Sequence, residues 1–167
     1  REAQEQAFKA AEIGTAIHGQ IERHYRKEAI DPAYELFVGG VVQEVEKHFH
    51  GFSWDSERSF CWNGYGGKVD LHGRSGDRCV VIDFKGKDGD LEDVSAYDEH
   101  RMQLGAYACG LFNDAPWENV TAANCFFSRT HPGVAKMIVH TPEELTKGLD
   151  AFLCAKALWC AMKGYRP

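Results

Sequence analysis

The chain has 167 residues, of which 44% are hydrophobic and 12% aromatic, and this is enough apolar material for one compact core. Its net charge of −6 arises mainly in residues 31–100, where seven basic residues stand against fifteen acidic ones. This balance disfavours binding to nucleic acid by protein charge alone, and no apolar run reaches the ~20 residues that a membrane span requires.

The first two predicted elements are helices. Small and apolar residues recur at helical spacing through residues 7–25, and His18 lies on the face of Gly14 and Ile21. Asp31 followed by Pro32 is typical of a helix start. The apolar face of this second helix comprises Leu36, Gly40, Val41, Val45 and Phe49.

Three strands are predicted next, at about residues 53–61, 66–74 and 78–85. They are rich in β-branched and aromatic residues and are separated by "NGYGG" and "RSGDR", which are typical of tight turns. The acidic segment "GKDGDLEDV" then predicts a mobile loop that packs poorly. Ser95 and Asp98 predict the start of a helix that reaches about residue 112.

The remaining sequence predicts two strands and a final helix. The strands are "VTAANCFFSR" and "VAKMIVH", and Thr141 with Glu144 forms a capping box at the start of the helix. The buried side of this helix is predicted to comprise Leu145, Leu149, Phe152, Leu153, Ala157 and Cys160. The whole pattern predicts one α/β domain over residues 1–167, with a mixed central sheet flanked by helices.

Charged residues interrupt two of the apolar strands. Asp83 and Lys85 end the run "CVVIDF", and strand alternation directs both side chains to one side. Asp70 holds an equivalent place in "GGKVDLHG", within cross-strand reach if the two strands form a hairpin. Two facing carboxylates stay ionised only beside positive charge, which Lys85 and a hard divalent cation would supply.

The order of these motifs resembles the PD-(D/E)XK nuclease superfamily, and most closely its RecB-type exonuclease branch. The G-x-x-D and D-x-K motifs are Gly67-Lys68-Val69-Asp70 and Asp83-Phe84-Lys85, and the Q-x-x-x-Y helix runs from Gln103 to Tyr107. His18 in "GTAIH" and Glu57 in "SERSF" match the histidine and the glutamate that precede the strands in that branch. Together the motifs cover about residues 14–107.

The resemblance implies a restriction-endonuclease-like core and a metal site that holds one or two Mg²⁺ or Mn²⁺ ions. Its implied ligands are Asp70, Asp83, the Phe84 carbonyl and His18, with Glu57 as a weaker candidate. Lys85 would position or deprotonate the attacking water and stabilise charge on the phosphate. Gln103 and Tyr107, one turn apart on a helix, would brace Lys85 or contact the scissile phosphate.

The predicted function is a metal-dependent DNA exonuclease that acts on single strands or duplex ends in repair, recombination or replication. Gln103, Tyr107, Lys87 and Arg101 are the predicted substrate-binding residues, and Arg58, Lys68 and Lys85 are further candidates for phosphate contacts. DNA is the expected partner, with no membrane and with any protein partner left open. We expect a soluble, intracellular protein, cytoplasmic or nucleoid-associated, with an organelle or viral origin left open.

Two other functions and several structural roles remain as alternatives. The chain could be a structure-specific endonuclease of the same fold, or a catalytically idle module that binds nucleic acid. Asp83 and Lys85 alone could form an ion pair at a strand end, and His18 could be an ordinary core histidine. Glu57 could be a solvated strand residue, Gln103 and Tyr107 could lie on a helix surface, and His72 could also approach the metal.

The six cysteines are scattered and form no C-x-x-C pair, which disfavours zinc sites and disulfide frameworks. Some RecB-type relatives hold an iron–sulfur cluster on one cysteine ahead of the core and three closely spaced cysteines beyond it. Here only Cys154 and Cys160 lie near the C-terminus, so no iron–sulfur cluster is predicted.

Overall fold

The structure is a computed structural model that describes residues 2–166, and in the first helix it describes side chains at residue 8 and from residue 10 onward. The helices are α1 (Glu2–Tyr25), α2 (Glu35–His48), α3 (Asp98–Leu111) and α4 (Pro142–Lys163). The strands are β1 (Ser53–Trp62), β2 (Tyr65–Ser75), β3 (Arg78–Lys87), β4 (Val120–Ser128) and β5 (Ala135–Val139). No helix in this part of the chain is long and apolar enough to cross a membrane.

The strands form a mixed five-stranded sheet in the order β1-β2-β3-β4-β5, flanked by helices. The pairs β1–β2 and β2–β3 are antiparallel hairpins, because short turns join consecutive strands. This confirms the predicted α/β class and the predicted order of elements. It is compatible with a restriction-endonuclease-like core.

The described chain divides into two compact units, each assembled from separate stretches of sequence. Unit 1 comprises residues 2–51, 84–94 and 125–137, and unit 2 comprises residues 52–83, 95–124 and 138–166. Three of the boundaries fall inside strands: in β3 after Asp83, in β4 after Asn124 and in β5 after Met137. The prediction of a single domain for residues 1–167 stays a prediction.

Unit 2 has a core built from its strands and from α3 and α4. Its buried members are Val69, Cys79, Val81, Leu104, Ala108, Phe112, Val120, Ala122 and Leu145. Helices α3 and α4 pack closely at Gly148. A Cβ added at this glycine would lie only 2.3 Å from the Arg101 carbonyl oxygen. In unit 1, Ile17 and Ile21 on α1 and Val38, Val41 and Val45 on α2 are fully or almost fully buried.

Two predicted helix faces need correction. Leu36 was expected on the buried side of α2, but its side chain is exposed, because it lies in the first turn of the helix and the buried residues of α2 begin only at Val38. On α4, Leu153 and Ala157 are exposed, and Cys160 is only half-buried. The contacts between α3 and α4 bury the first turns of α4. The apolar residues at helical spacing in its later turns, such as Leu153 and Ala157, stay exposed.

The start of α3 was also predicted wrongly. The helix begins at Asp98, and Tyr97 rather than Ser95 is its N-cap residue. The Tyr97 backbone N–H donates to Nδ1 of His100 at 3.2 Å, so a histidine takes the place of the usual acidic residue in a reciprocal cap. The capping box of α4 is confirmed, since Thr141 and Glu144 exchange hydrogen bonds of 3.0 and 3.2 Å.

The acidic segment after β3 packs better than predicted. Leu91 is buried, and the Lys136 ammonium donates to the carbonyl oxygens of Leu91 and Glu92 at 3.3 and 2.6 Å. The Gly89 N–H donates to the Thr130 hydroxyl at 2.9 Å. One apolar side chain and these three hydrogen bonds hold the segment within unit 1, so the expectation that it packs poorly was wrong.

Candidate metal centre

Two carboxylates meet where β1 and β2 are paired in unit 2. Glu57 and Asp70 are bracketed by the backbone pairs Ser56↔Leu71 and Arg58↔Val69. Their ligand oxygens lie within 4.8 Å of one another, which is a range at which two carboxylates could share a metal ion. We call Glu57 and Asp70 the acid pair.

The backbone of Glu57 is unusual for a strand residue. Its φ is +59°, in the left-handed region that favours glycine, so the conformation costs energy that the surrounding structure must offset. Its side chain is only 6% exposed and forms an ion pair with the Lys68 ammonium. The alternative that Glu57 is a solvated strand residue is therefore wrong. Strained backbone of this kind clusters at functional sites.

The donor set of the acid pair suits a hard divalent cation. At 4.8 Å or less, two carboxylates repel by about 3 kcal/mol or more at an effective dielectric constant of 20. Lys68 offsets part of this repulsion, but its side chain is more than half exposed, so water screens its charge. Carboxylate oxygens are the preferred ligands of Mg²⁺ and Mn²⁺, so these residues fit the predicted metal.

Asp83 lies at the boundary of unit 2 near the end of β3. The β2–β3 ladder pairs Leu71 with Ile82, and one further step in the same register places Asp70 opposite Asp83. Asp83 is only 2% exposed, and its Oδ2 accepts a hydrogen bond of 3.0 Å from the Asn124 side-chain amide. Within the described residues, Asp83 does not belong to the close group that contains the acid pair.

The remaining predicted ligands, His18 and the Phe84 carbonyl, belong to unit 1. His18 is half-buried on α1, and its ring meets the Phe84 ring edge-on with the centroids 5.9 Å apart. Such an edge-to-face contact favours one orientation of the imidazole ring. Lys85 and Lys87 follow on β3 and are half-buried. The metal-binding role of His18 and the catalytic role of Lys85 stay predictions.

The structure joins the G-x-x-D and Q-x-x-x-Y motifs directly. Gln103 Nε2 donates to the Tyr107 hydroxyl at 3.0 Å, and the Tyr107 ring lies over Gly67. A Cβ added at Gly67 would come 2.6 Å from Cε1 of Tyr107, so any larger residue at this position would force the ring or α3 to shift. The contact fixes α3 against β2, three residues before Asp70. It gives a physical reason for the glycine of the first motif.

Arg101 and His72 each have partners that the sequence does not indicate. Arg101 pairs with Asp98 at 3.1 Å and with Glu144 at 3.2 Å, so its guanidinium links α3 to α4. His72 Nε2 lies 3.5 Å from the Asp55 carboxylate, and burial lowers the pKa of this histidine despite that neighbour. The predicted role of Arg101 in substrate binding stays a prediction.

Asn124 and His140 were missed by the sequence analysis. Asn124 is fully buried between Asp83 and His140, whose Nε2 lies 2.8 Å from the Asn124 amide oxygen. Burial is also the main reason why the pKa of His140 is lowered. The available signal was the single amide within the apolar run "TAANCFF", because a buried polar side chain requires a partner.

The chain has few recognisable relatives. No protein-family model matches it, and no curated protein matches it in sequence. Eleven chains of solved structures match its fold. One is the crystal structure of a protein from Eubacterium rectale named "putative exonuclease", with a TM-score of 0.57 and 10% identity over 93% of this chain and 69% of that one.

A second solved structure, named SSO0001, has a TM-score of 0.35 and 12% identity, with 84% of each chain covered. At that TM-score the likeness carries no argument. The similarity to the Eubacterium rectale protein shows a nuclease-like fold. It shows nothing beyond the fold, because 10% identity is too low to indicate a shared activity. The motif resemblance to the PD-(D/E)XK superfamily stands beside this likeness as a separate observation.

Proposed function

We propose that the protein is a metal-dependent deoxyribonuclease, an exonuclease that hydrolyses phosphodiester bonds in single-stranded DNA or at duplex ends. The observation that carries this proposal is the acid pair, whose oxygens lie within 4.8 Å of each other on adjacent strands. The fold likeness to a protein named as an exonuclease supports the same reaction class. Repair, recombination or replication of DNA is the setting in which such an activity is used.

The proposed metal ligands are the acid pair together with Asp83, His18 and the Phe84 carbonyl. A bound Mg²⁺ or Mn²⁺ would supply Lewis acidity toward the phosphate and toward water, which is what hydrolysis of a phosphodiester near neutral pH requires. The carboxylates fix the position of the positive charge. Cations bound by these carboxylates would also reverse the local charge, so an acidic region of the chain could then accept a polyanion.

The other site residues act on water and phosphate. Lys85 orients the attacking water and stabilises the charge that develops on the phosphate oxygens. Gln103 and Tyr107, joined by their 3.0 Å hydrogen bond, hold a fixed polar surface on α3 that orients Lys85 or the scissile phosphate. Lys87 and Arg101 contact flanking phosphates.

A digestion series tests this function. Linear and closed circular DNA, single-stranded and duplex, and end-labelled RNA are incubated with Mg²⁺ or Mn²⁺ and with EDTA. We expect linear DNA to shorten from an end and digestion to stop in EDTA. The matched control is Asp70→Asn, which keeps the size of the side chain and removes its charge.

Each other outcome has a definite meaning. Digestion that continues undiminished in EDTA would contradict the metal-dependent mechanism. Cutting of closed circles would show an endonuclease, and binding of DNA without cutting would show a module that has lost catalysis. Digestion of RNA alone would replace DNA as the substrate.

A further inference from the structure

A chain of three polar side chains is buried within unit 2. Asp83, Asn124 and His140 are 2%, 0% and 4% exposed, although all three carry groups that water normally solvates. The Asn124 amide nitrogen donates to Asp83 Oδ2 at 3.0 Å, and the Asn124 amide oxygen lies 2.8 Å from Nε2 of His140. We call these three residues the Asp83 chain.

The sheet brings the Asp83 chain together from distant parts of the sequence. Asp83 is on β3, Asn124 is on β4, and His140 follows the end of β5. The backbone N–H of His140 donates to the carbonyl oxygen of Ala122 at 3.0 Å, which fixes the histidine beside β4. The side chains therefore occupy positions that are set by backbone pairing rather than by flexible loops.

The chemistry of the donors fixes the direction of each hydrogen bond. The amide nitrogen of Asn124 can only donate, so the Oδ2 atom of Asp83 that it faces is the acceptor. The oxygen end then faces His140, and Nε2 of His140 must carry a hydrogen. Burial lowers the pKa of His140, so the neutral ring with the hydrogen on Nε2 is favoured near neutral pH.

The other nitrogen of His140 points away from Asp83. Nδ1 is buried without a hydrogen-bond partner and lies 3.8 Å from the Glu144 carboxylate. Besides Glu144, the charged or titratable groups that act on His140 are Arg101 and His100 on α3. None of these groups competes for Nε2, so the hydrogen bond of His140 to Asn124 is kept.

We propose that Asn124 and His140 are positioning residues for the metal ligand Asp83, with Asn124 orienting the carboxylate and His140 orienting Asn124. This inference rests on the proposed function, because it takes Asp83 to be a metal ligand. Outer partners of this kind determine how well a ligand is placed.

Calorimetric titration of Mn²⁺ into the whole chain tests the inference without a turnover assay. We expect Asn124→Ala and His140→Ala to weaken Mn²⁺ binding by about 10- to 100-fold, as removal of an outer-shell partner does. His140→Gln retains an N–H donor and should recover most of the affinity. Every variant is titrated well below its unfolding temperature, so that lost stability does not count as lost affinity.

Tyr65→Phe is the matched control. The Tyr65 hydroxyl donates to the Ala106 carbonyl at 3.0 Å, so this variant removes one partly buried hydrogen bond from the same unit without touching the Asp83 chain. It should lose some stability and keep the Mn²⁺ affinity of the wild type. If Asn124→Ala does not fold, the comparison of His140→Ala with His140→Gln decides the question.

Two outcomes would overturn the inference, and they differ in what else they overturn. If the wild type binds Mn²⁺ and the Asn124 and His140 variants bind it equally well, the positioning role is wrong and the proposed function stands. If the wild type binds no Mn²⁺, both the proposed metal dependence and the positioning role are wrong.

Discussion

The acid pair and the Asp83 chain solve the same problem of holding negative charge inside a protein in different ways. Glu57 is held in a strained backbone conformation beside the ammonium group of Lys68, whose side chain is 57% exposed. Asp83 is held in a relaxed strand by a neutral amide that is itself fully buried. An exposed cation offsets only part of the charge of the acid pair, whereas a buried amide fixes geometry without adding charge.

This difference suggests a division of work between the two groups. The acid pair has a net negative charge that Lys68 only partly offsets, so it should contribute most of the attraction for a divalent ion. The Asp83 chain adds little attraction beyond one carboxylate, but it restricts where that carboxylate can lie.

Substitutions at Asp83 and Lys85 should separate metal binding from chemistry. Asp83→Ala removes a carboxylate, so we expect loss of both tight Mn²⁺ binding and cleavage. Lys85→Ala removes a cation that repels the metal, so Mn²⁺ binding should stay or tighten while turnover falls about 10²- to 10³-fold through loss of charge stabilisation. Calorimetry and a cleavage assay on both variants measure this.

Lys163→Ala, an exposed lysine at the end of α4, is the control for general loss of positive charge. If Lys85→Ala cleaves at the parental rate, the catalytic role of Lys85 is wrong. The role of Asp83 is then decided by Mn²⁺ binding in Asp83→Ala.

Gly67→Ala should destabilise the support beneath Asp70. The new Cβ would lie 2.6 Å from the Tyr107 ring, so α3 or the ring must move, and overpacking of this kind costs about 1–3 kcal/mol. Chemical denaturation measures the change in the free energy of unfolding. Gly39→Ala on α2 is the control, because nothing lies within 4 Å of an added Cβ there and alanine favours a helix. A Gly67→Ala variant as stable as the wild type would contradict the close packing of Tyr107 on β2.

These cases also show what the sequence could and could not predict. The strands β1 to β3 were predicted because apolar alternation and glycine turns are local signals. The close approach of Gly67 and Tyr107 was not predictable, since the two residues lie on different elements and their contact depends on how α3 packs. For the same reason the sequence placed Asp83 on a strand but did not indicate its hydrogen bond from Asn124, which lies on another strand.

Local propensity also failed where tertiary packing decided the outcome. The helix α4 was predicted to bury Leu153 and Ala157, but only its first turns pack on α3. The left-handed backbone of Glu57 has no signal in the sequence either, because glutamate rarely adopts that conformation. The motif resemblance did single out Glu57 as a weaker ligand candidate, and its oxygen lies within 4.8 Å of an Asp70 oxygen, but its role as a ligand stays a prediction.

Lowering the pH should weaken the Asp83 chain, because the buried His140 is then forced to bind a proton. Burial lowers the pKa of His140 below the 6.5 of a free histidine, so above pH 6.5 the ring is neutral in both folded and unfolded chains. Below pH 6.5 the unfolded chain binds the proton more readily, and stability is lost progressively as the pH falls through the lowered folded pKa. Denaturation between pH 7.5 and 5 measures this loss.

The variant His140→Gln cannot titrate and should show a flatter pH dependence than the wild type. Its slope will not be zero, since the pKa of His72 is also lowered by burial and acts in the same direction. Glu144 is a smaller concern, because its pKa is lowered from 4.5 by the Thr141 backbone N–H and its effect falls below this pH window. Equal slopes for wild type and His140→Gln would contradict a buried neutral His140.

Lys68→Ala should give the smallest effect and the most direct comparison of the two groups. Lys68 pairs with Glu57 from a largely exposed position, so it competes with a divalent ion for the same carboxylate but is well screened by water. Its removal should raise Mn²⁺ affinity by about two- to fivefold at low salt, since exposed pairs of this kind contribute little. The gain should shrink as salt screens the wild-type lysine. Weaker Mn²⁺ binding in Lys68→Ala would mean that the lysine holds Glu57 in its strained conformation, and the acid pair would then be positioned by a fixed partner just as Asp83 is.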